Sequence, residues 1–260
     1  MVVVFGRGFD SRRLHQLSLR GVPRKSAAQS IMPTDLRHRL ASVRERVAQA
    51  CTRAQRDPED IEILAVTKTH PLETLLQAVH EGLHDLGENR VQEALPKIAK
   101  LPSSVRVHLI GRLQSNKVSK AVGAFASIES VDRLELLQKI ARRAAALHIV
   151  QTIWIEVDIA EEEQKGGCPI GELAELWERG LQESSLQVVG LMGMVRLSDD
   201  ERAARVRFAR LRRLAEDLRR EDGAPVRLSM GMSRDFEWAV EEGSHQIRLG
   251  SVLFGPRRPR

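Results

Sequence analysis

The sequence predicts an α/β fold, a single (β/α)8 barrel of the TIM type. Its 260 residues suit such a barrel, which typically needs about 250. Eight short apolar segments rich in β-formers alternate with segments whose apolar residues recur every three or four positions. An open, doubly wound sheet is the alternative. However, the glycine-rich fingerprint typical of that fold after its first strand is replaced here by "TKTHPL".

The strand candidates come in a regular order along the chain. They are 61–67, 84–88, 105–111, 124–130, 152–159, 187–194, 226–230 and 245–250. Between them lie helical stretches such as "PLETLLQAVHEG" and "DRLELLQKIARRAAAL". Strand and helix alternation predicts a parallel sheet, and eight repeats favour its closure into a barrel.

The barrel domain is predicted to span residues 32–260. "MPTDLRHRLASVRERVAQA" starts at Met32 with proline and threonine near a helix start, followed by apolar residues at helical spacing. Residues 1–31 lack sustained periodicity, so we expect a disordered extension or the product of an upstream start site. Their basic, acid-poor composition also suits an organelle transit peptide, which is the alternative.

One helix start carries a specific signature. "SDDE" at 198–201 predicts a capping box, with Ser198 as the cap and Glu201 three residues later. The segment behind it, "RAARVRFARLRRLAEDLRR", alternates arginine with apolar residues at helical spacing. This pattern is typical of a solvated helix with one buried stripe.

The positive charge of the chain is concentrated at its ends. The net charge is +6, but residues 1–31 contribute +5 and the tail "PRRPR" contributes +3, which leaves 32–255 at −2. Aromatic residues make up only 3% of the chain, so there is little surface on which bases could stack. These observations argue against a nucleic-acid partner.

Cysteine usage and hydropathy indicate the cellular compartment in which the protein works. Cys51 and Cys168 have neither metal-ligand spacing nor a disulfide framework, and we expect no metal. No apolar run approaches the roughly 20 residues of a membrane-spanning helix. We therefore expect a cytoplasmic protein without membrane contact.

Lys68 is the lysine that stands at the end of a strand-like apolar run, within "IEILAVTKTHP". In a barrel of this kind, the loops after the strands build the active site. A lysine amine held there can form a Schiff base with an aldehyde such as pyridoxal 5′-phosphate. The alternative is an ion pair at the barrel mouth with Glu88 or Glu156.

The loops after strands 7 and 8 suggest an anion site. Gly231 and Ser233 precede a helix start near Asp235, and Gly250 and Ser251 precede the turn "VLFG". Backbone N–H groups at such starts bind phosphate, and barrels often hold a phosphate between strands 7 and 8. Ordinary turn and cap chemistry would use the same residue types, so both interpretations remain open.

Six segments together resemble one family. "AVTKTHP", "GENRVQEALPKI", "HLIGRLQSNK", "GLMGM", "LSMGMSRDFEWAVEEGS" and "IRLGSVLFG" look like the motifs of the YggS/PROSC family of pyridoxal phosphate homeostasis proteins, over roughly 34–256. The resemblance implies a barrel of the alanine racemase N-terminal-domain type. It also implies a set of cofactor-binding residues: Lys68 as the Schiff base, Asn89 beside it, Arg248 facing the pyridine nitrogen, and Ser233, Gly250 and Ser251 at the phosphate.

Two functions follow from the resemblance. The first is a carrier of pyridoxal 5′-phosphate in vitamin B6 and amino-acid homeostasis, without independent catalysis. For this carrier we expect a monomer that binds the cofactor, and amino acids with it, and passes the cofactor to recipient enzymes. The second is an amino-acid racemase. Alanine racemase uses a tyrosine from an additional domain as its second base, whereas this chain contains no tyrosine and ends soon after the eighth strand. The sequence therefore favours the carrier.

Overall fold

The computed structural model describes residues 33–161, 166–220 and 223–256. Eight parallel strands form a closed barrel in the order β1 to β8, which confirms the predicted fold and its eight strands. The strands are β1 Glu62–Val66, β2 Asp85–Glu88, β3 Arg106–Leu109, β4 Ser127–Val131, β5 Gln151–Val157, β6 Leu186–Gly193, β7 Arg227–Met232 and β8 Gln246–Leu249. The extension 1–31 lies outside the described residues, and its separation from the barrel stays a prediction.

Helices surround the barrel. They are α1 Pro33–Arg53, α2 Leu72–His80, α3 Val91–Ile98, α4 Val118–Ala121, α5 Leu134–Ala146, α6 Leu173–Leu181, α7 Glu201–Glu216, α8 Phe236–Glu241 and α9 Ser251–Phe254. Short 3-10 turns lie at Pro58–Asp60, Ser115–Lys117 and Ile170–Glu172. The helix predicted after Met32 is α1, and its apolar face packs mainly against α8 and α9.

Pairing of β1 with β8 closes the barrel. Leu64 lies opposite Arg248, and Ala65 lies opposite Leu249. The loops after these two strands therefore start side by side. Because successive strand residues face opposite sides, one set packs outward against the helices and the other fills the interior. The outward-facing strand residues and the helix residues that pack on them form the apolar core of the protein.

The arginine-rich helix α7 has the buried stripe that its sequence predicts. Ala204, Phe208, Leu211 and Ala215 are buried. The arginines around them make ion pairs: Arg205 with Glu201 and Glu241, Arg207 with Asp199, Arg210 with Glu161, and Arg212 with Glu216 and Glu242. Most of the charge on this helix is thus matched by nearby carboxylates.

The predicted capping box at Ser198 is wrong. Helix α7 begins at Glu201, and Asp200 is its cap, because the Asp200 carboxylate accepts a hydrogen bond from the backbone N–H of Ala203 at 2.8 Å. Asp199 accepts from the backbone N–H of Arg196 instead. An aspartate next to the first helical residue therefore fills the position assigned to Ser198.

Three further features bear on the expected class of protein. Within the described part of the chain, no helix is long and apolar enough to cross a membrane. The same residues contain no group of three or more potential metal ligands. Both cysteines are buried free thiols, and burial raises the pKa of Cys168 to about 12, which makes it a poor nucleophile.

Candidate functional site at the barrel mouth

Lys68 lies two residues beyond the end of β1, at the carboxyl-end mouth of the barrel, and is half-buried. Its loop is held against the loop after β8, because the ring of His70 packs on the ring of Phe254 with centroids 5.0 Å apart. Glu88, one of the two ion-pair partners considered for Lys68, bonds Lys97 at 2.7 Å instead. The β1–β8 seam therefore brings Lys68 beside the start of α9.

Ser233 joins the loops after β7 and β8. Its hydroxyl oxygen accepts hydrogen bonds from the backbone N–H groups of Gly250 at 3.2 Å and Val252 at 3.3 Å. Ser251 is the first residue of α9 and is exposed. Gly250, Ser251 and Ser233 thus form one cluster of backbone N–H and hydroxyl groups at the seam.

Gly231 is required by the turn that leads to Ser233. Its φ is +94°, and a Cβ at this position would lie 2.6 Å from the Cβ of Ala239. Both the backbone conformation and the close approach of α8 favour glycine. The turn is fixed further by Asp235, whose carboxylate accepts from the backbone N–H of Met232 at 2.6 Å.

Arg248 is held inside the barrel, just below the mouth, with 4% of its surface exposed. Its Nη1 donates to Ser229 Oγ at 2.7 Å, and its Nη2 donates to the backbone oxygen of Gly193 at 2.9 Å. Burial lowers the pKa of Arg248, while the carboxylates of Glu129, Glu156 and Asp235 act against that shift. The guanidinium is therefore fixed in position at the inner wall.

Asn89 follows β2 directly and contributes an unsatisfied acceptor. Its Oδ1 is buried and has no hydrogen-bond partner among the residues that the structure describes. The loop after β3 presses on its backbone: a Cβ on Gly111 would lie 2.3 Å from the backbone oxygen of Asn89. Such an orphaned buried oxygen is a position that a ligand donor can satisfy.

A buried polar layer beneath the mouth was not predicted from the sequence. Its centre is Glu129 on β4, whose Oε2 accepts from Gln246 Nε2 at 2.8 Å and from Ser229 Oγ at 3.3 Å. Ser229 also accepts from Arg248, so the layer supports the arginine from below. The sequence signal is polar residues at alternate positions in "SIES" and "QIRL", which places them on one face of each strand.

The layer continues through His108 on β3. His108 lies 2.9 Å from Asp85 through Nε2 and 2.8 Å from Ser127 through Nδ1. Burial alone would lower the pKa of His108, but hydrogen bonds to Asp85 and Glu129 outweigh it and raise the pKa to about 9. The same contact helps to lower the pKa of Asp85 to about 2. His108 is therefore a partly buried cation at neutral pH.

We expect this histidine to make stability depend on pH. A raised pKa gives stabilisation that is complete below pH 6.5 and is lost as the pH rises through about 9. The free energy of unfolding should fall by about 1–3 kcal/mol over that interval. Urea unfolding from pH 6 to 9.5 measures it, and His108→Gln should remove most of the slope. An equal slope in both proteins would contradict the assignment.

The closed parallel barrel, with a lysine after its first strand and a cluster of backbone N–H and hydroxyl groups after its last two strands, defines the class of alanine racemase-type barrels. Residues 38–258 match the family described as alanine racemase, N-terminal domain. Pyridoxal phosphate homeostasis proteins are similar over nearly their whole length. The Aquifex aeolicus protein is 41% identical over 222 residues, covering 85% of this chain and 97% of its own. The Escherichia coli K12 protein is 33% identical over 234 residues, covering 86% and 97%. The chain belongs to this pyridoxal phosphate homeostasis (YggS/PROSC) family.

Solved structures agree with this assignment. PipY of Synechococcus elongatus, solved with pyridoxal phosphate bound, is 34% identical with a TM-score of 0.73, covering 85% of this chain and all of that one. An alanine racemase from Clostridium difficile superimposes with a TM-score of 0.69 at 15% identity, and the match covers 58% of that chain. The latter likeness supports the fold alone.

Proposed function

We propose that this protein binds pyridoxal 5′-phosphate at the barrel mouth, holds it on Lys68 as a Schiff base, and serves intracellular vitamin B6 and amino-acid homeostasis. The observation that carries the proposal is the β1–β8 seam, which brings Lys68 beside the Ser233, Gly250 and Ser251 cluster. The names of the relatives and the ligand bound to PipY support the same cofactor.

The residues at the mouth fit the group. The N–H groups of Gly250 and Val252 are at long distances from Ser233 Oγ, so phosphate oxygens can compete for them as better acceptors. The unsatisfied Oδ1 of Asn89 can accept from a donor on the ligand. When bound, pyridoxal phosphate supplies an aldehyde that condenses with amines and a ring that accepts electrons.

Arg248 is proposed to lie at the pyridine nitrogen. Its guanidinium is held by Ser229 and by the backbone of Gly193, so it presents a fixed positive charge. A cation at this place disfavours a second proton on the ring nitrogen. The site therefore suits retention and exchange of the cofactor better than chemistry that stabilises negative charge at the α-carbon.

A carrier is favoured over a racemase by the lack of a second base. The chain has no tyrosine. Two histidines could take the place of a tyrosine by residue type, but His70 packs against Phe254, and His108 bonds Asp85 below the mouth. We further propose that the protein acts as a cytoplasmic monomer that exchanges its cofactor with recipient enzymes.

Borohydride reduction tests the attachment. The protein loaded with pyridoxal phosphate should acquire one pyridoxyl phosphate group that peptide mass mapping assigns to Lys68, and the absorption of the Schiff base should disappear. Lys68→Ala should retain no reducible cofactor, whereas Lys139→Ala, on the outer helix α5, should behave as the unchanged protein. A label on another lysine would overturn the assignment.

A further inference from the structure

Glu156 is a buried carboxylate whose role the proposed cofactor site does not explain. Its neighbours on β5, Ile155 and Val157, belong to the outer apolar core, so Glu156 faces the barrel interior. The residue is 6% exposed. Its carboxylate makes no hydrogen bond or ion pair with any residue of the described ranges. Burial of a lone carboxylate is costly, which makes a binding role worth testing.

Charged groups of both signs surround Glu156: Asp132 and Asp158 are acidic, and Arg248 and Arg112 are basic. Arg248 is nearby, but its two Nη atoms are used by Ser229 and Gly193. Asp132, after β4, is a second buried carboxylate whose Oδ1 is bound by Arg133 at 2.5 Å. Neither Arg248 nor Arg112 hydrogen-bonds Glu156, so its carboxylate oxygens can accept from a donor such as an ammonium group.

Gly166 leaves space above the two acids. A Cβ on this residue would lie 3.6 Å from Asp132 Oδ2, 3.8 Å from Glu156 Oε2 and 3.9 Å from Arg112 Cδ. Both oxygens therefore border the same space near the end of β5. Two carboxylates without a third ligand suit an ammonium group better than a divalent metal, which needs more oxygen ligands.

We propose that Glu156, assisted by Asp132, receives the ammonium group of a second ligand at the barrel mouth, a primary amine of the amino-acid type. The inference rests on the proposed function, because an incoming amine is the partner that exchanges with the lysine-bound cofactor. Glu156 Oε2 accepts a proton from the ammonium group: an N–H bond breaks, an O–H bond forms, and the electron pair stays on nitrogen. The neutral amine so formed is the nucleophilic species.

The protonation behaviour of Glu156 agrees with this role. Burial raises its pKa to about 7; Asp132 and Asp158 act in the same direction, and Arg248 and Arg112 oppose them. A carboxyl group poised near neutrality can both accept and release a proton. Because the neutral acid attracts an ammonium group weakly, affinity for the amine should increase from pH 6 to pH 8.

The first test uses the protein loaded with pyridoxal phosphate. L-alanine is titrated while the cofactor absorption is followed, for the unchanged protein, Glu156→Gln and the control Glu135→Gln on the exposed face of α5. Glu156→Gln should keep its cofactor and initial spectrum but need at least about ten times more L-alanine for half-saturation. A change of less than about twofold would overturn the inference.

The second test does not depend on the cofactor. Carbon-13 NMR of glutamate carboxyl groups in cofactor-free protein should show one group titrating near pH 7, absent from Glu156→Gln. Ethylammonium should shift its midpoint downward, while propionate should not. A midpoint below about pH 5, or no response to ethylammonium, would overturn the inference. If the protein fails to load pyridoxal phosphate, that result counts only against the proposed function, because the carboxyl titration is measured without the cofactor.

Discussion

Replacing Glu129 with leucine is expected to lower the free energy of unfolding by about 3–5 kcal/mol. Glu129 is fully buried, and its carboxylate is the shared partner of Gln246, Ser229 and the His108 cation. Without it, the buried cation Arg248 and the partly buried cation His108 keep fewer carboxylates to compensate their charges. An uncompensated buried charge costs more than the hydrogen bonds that are lost with it.

Urea unfolding at pH 7 measures this effect. The matched control is Glu135→Leu, the same change at an exposed position of α5, for which we expect less than about 0.5 kcal/mol. If Glu129→Leu does not fold, Glu129→Gln is measured in its place. It keeps a hydrogen-bond acceptor without the charge, so its free energy of unfolding should fall by a smaller but measurable amount. Adding His108→Leu should restore part of the stability. A loss below about 1 kcal/mol in Glu129→Leu would show that the layer does not depend on its carboxylate.

The fold could be predicted because each strand and helix carries its own local pattern. All eight strand candidates overlap the observed strands, and the repeat itself argues for closure. Lys68 and Ser233 could be located for the same reason, since the ends of strands in a parallel barrel all meet at one mouth. The capping residue of α7 could not be chosen reliably, because Ser198, Asp199 and Asp200 are all good caps and only geometry selects Asp200.

The polar layer was missed for a different reason. Strand periodicity tells which residues share a face, but it does not tell which residues of distant strands meet inside the barrel. Asp85, His108, Glu129 and Gln246 come from four strands, and they form one chain of hydrogen bonds only because closure brings β8 near β4 across the interior. Arg248 was predicted at its strand end, whereas its fixed position depends on partners from β6 and β7 that the sequence does not reveal.

The carrier and racemase hypotheses are separated by the fate of the α-hydrogen of L-alanine in deuterium oxide. With cofactor bound, the unchanged protein should leave this hydrogen largely in place, because Arg248, in its proposed place at the ring nitrogen, would disfavour a proton there and so weaken electron withdrawal from the α-carbon. Arg248→Gln removes the charge and should increase deuterium incorporation at least about tenfold. Glutamine is preferred to glutamate here because Glu129, Glu156 and Asp235 already surround the position.

Chiral analysis of the same samples completes the test. Even Arg248→Gln should form little D-alanine, because the chain has no tyrosine to deliver a proton to the opposite face. Arg234→Gln is the control: it removes an exposed arginine that bonds the backbone of Leu197, and it should leave the rate of incorporation unchanged. Rapid incorporation with racemisation by the unchanged protein would contradict the carrier hypothesis, since a single fixed lysine cannot by itself protonate both faces of the α-carbon.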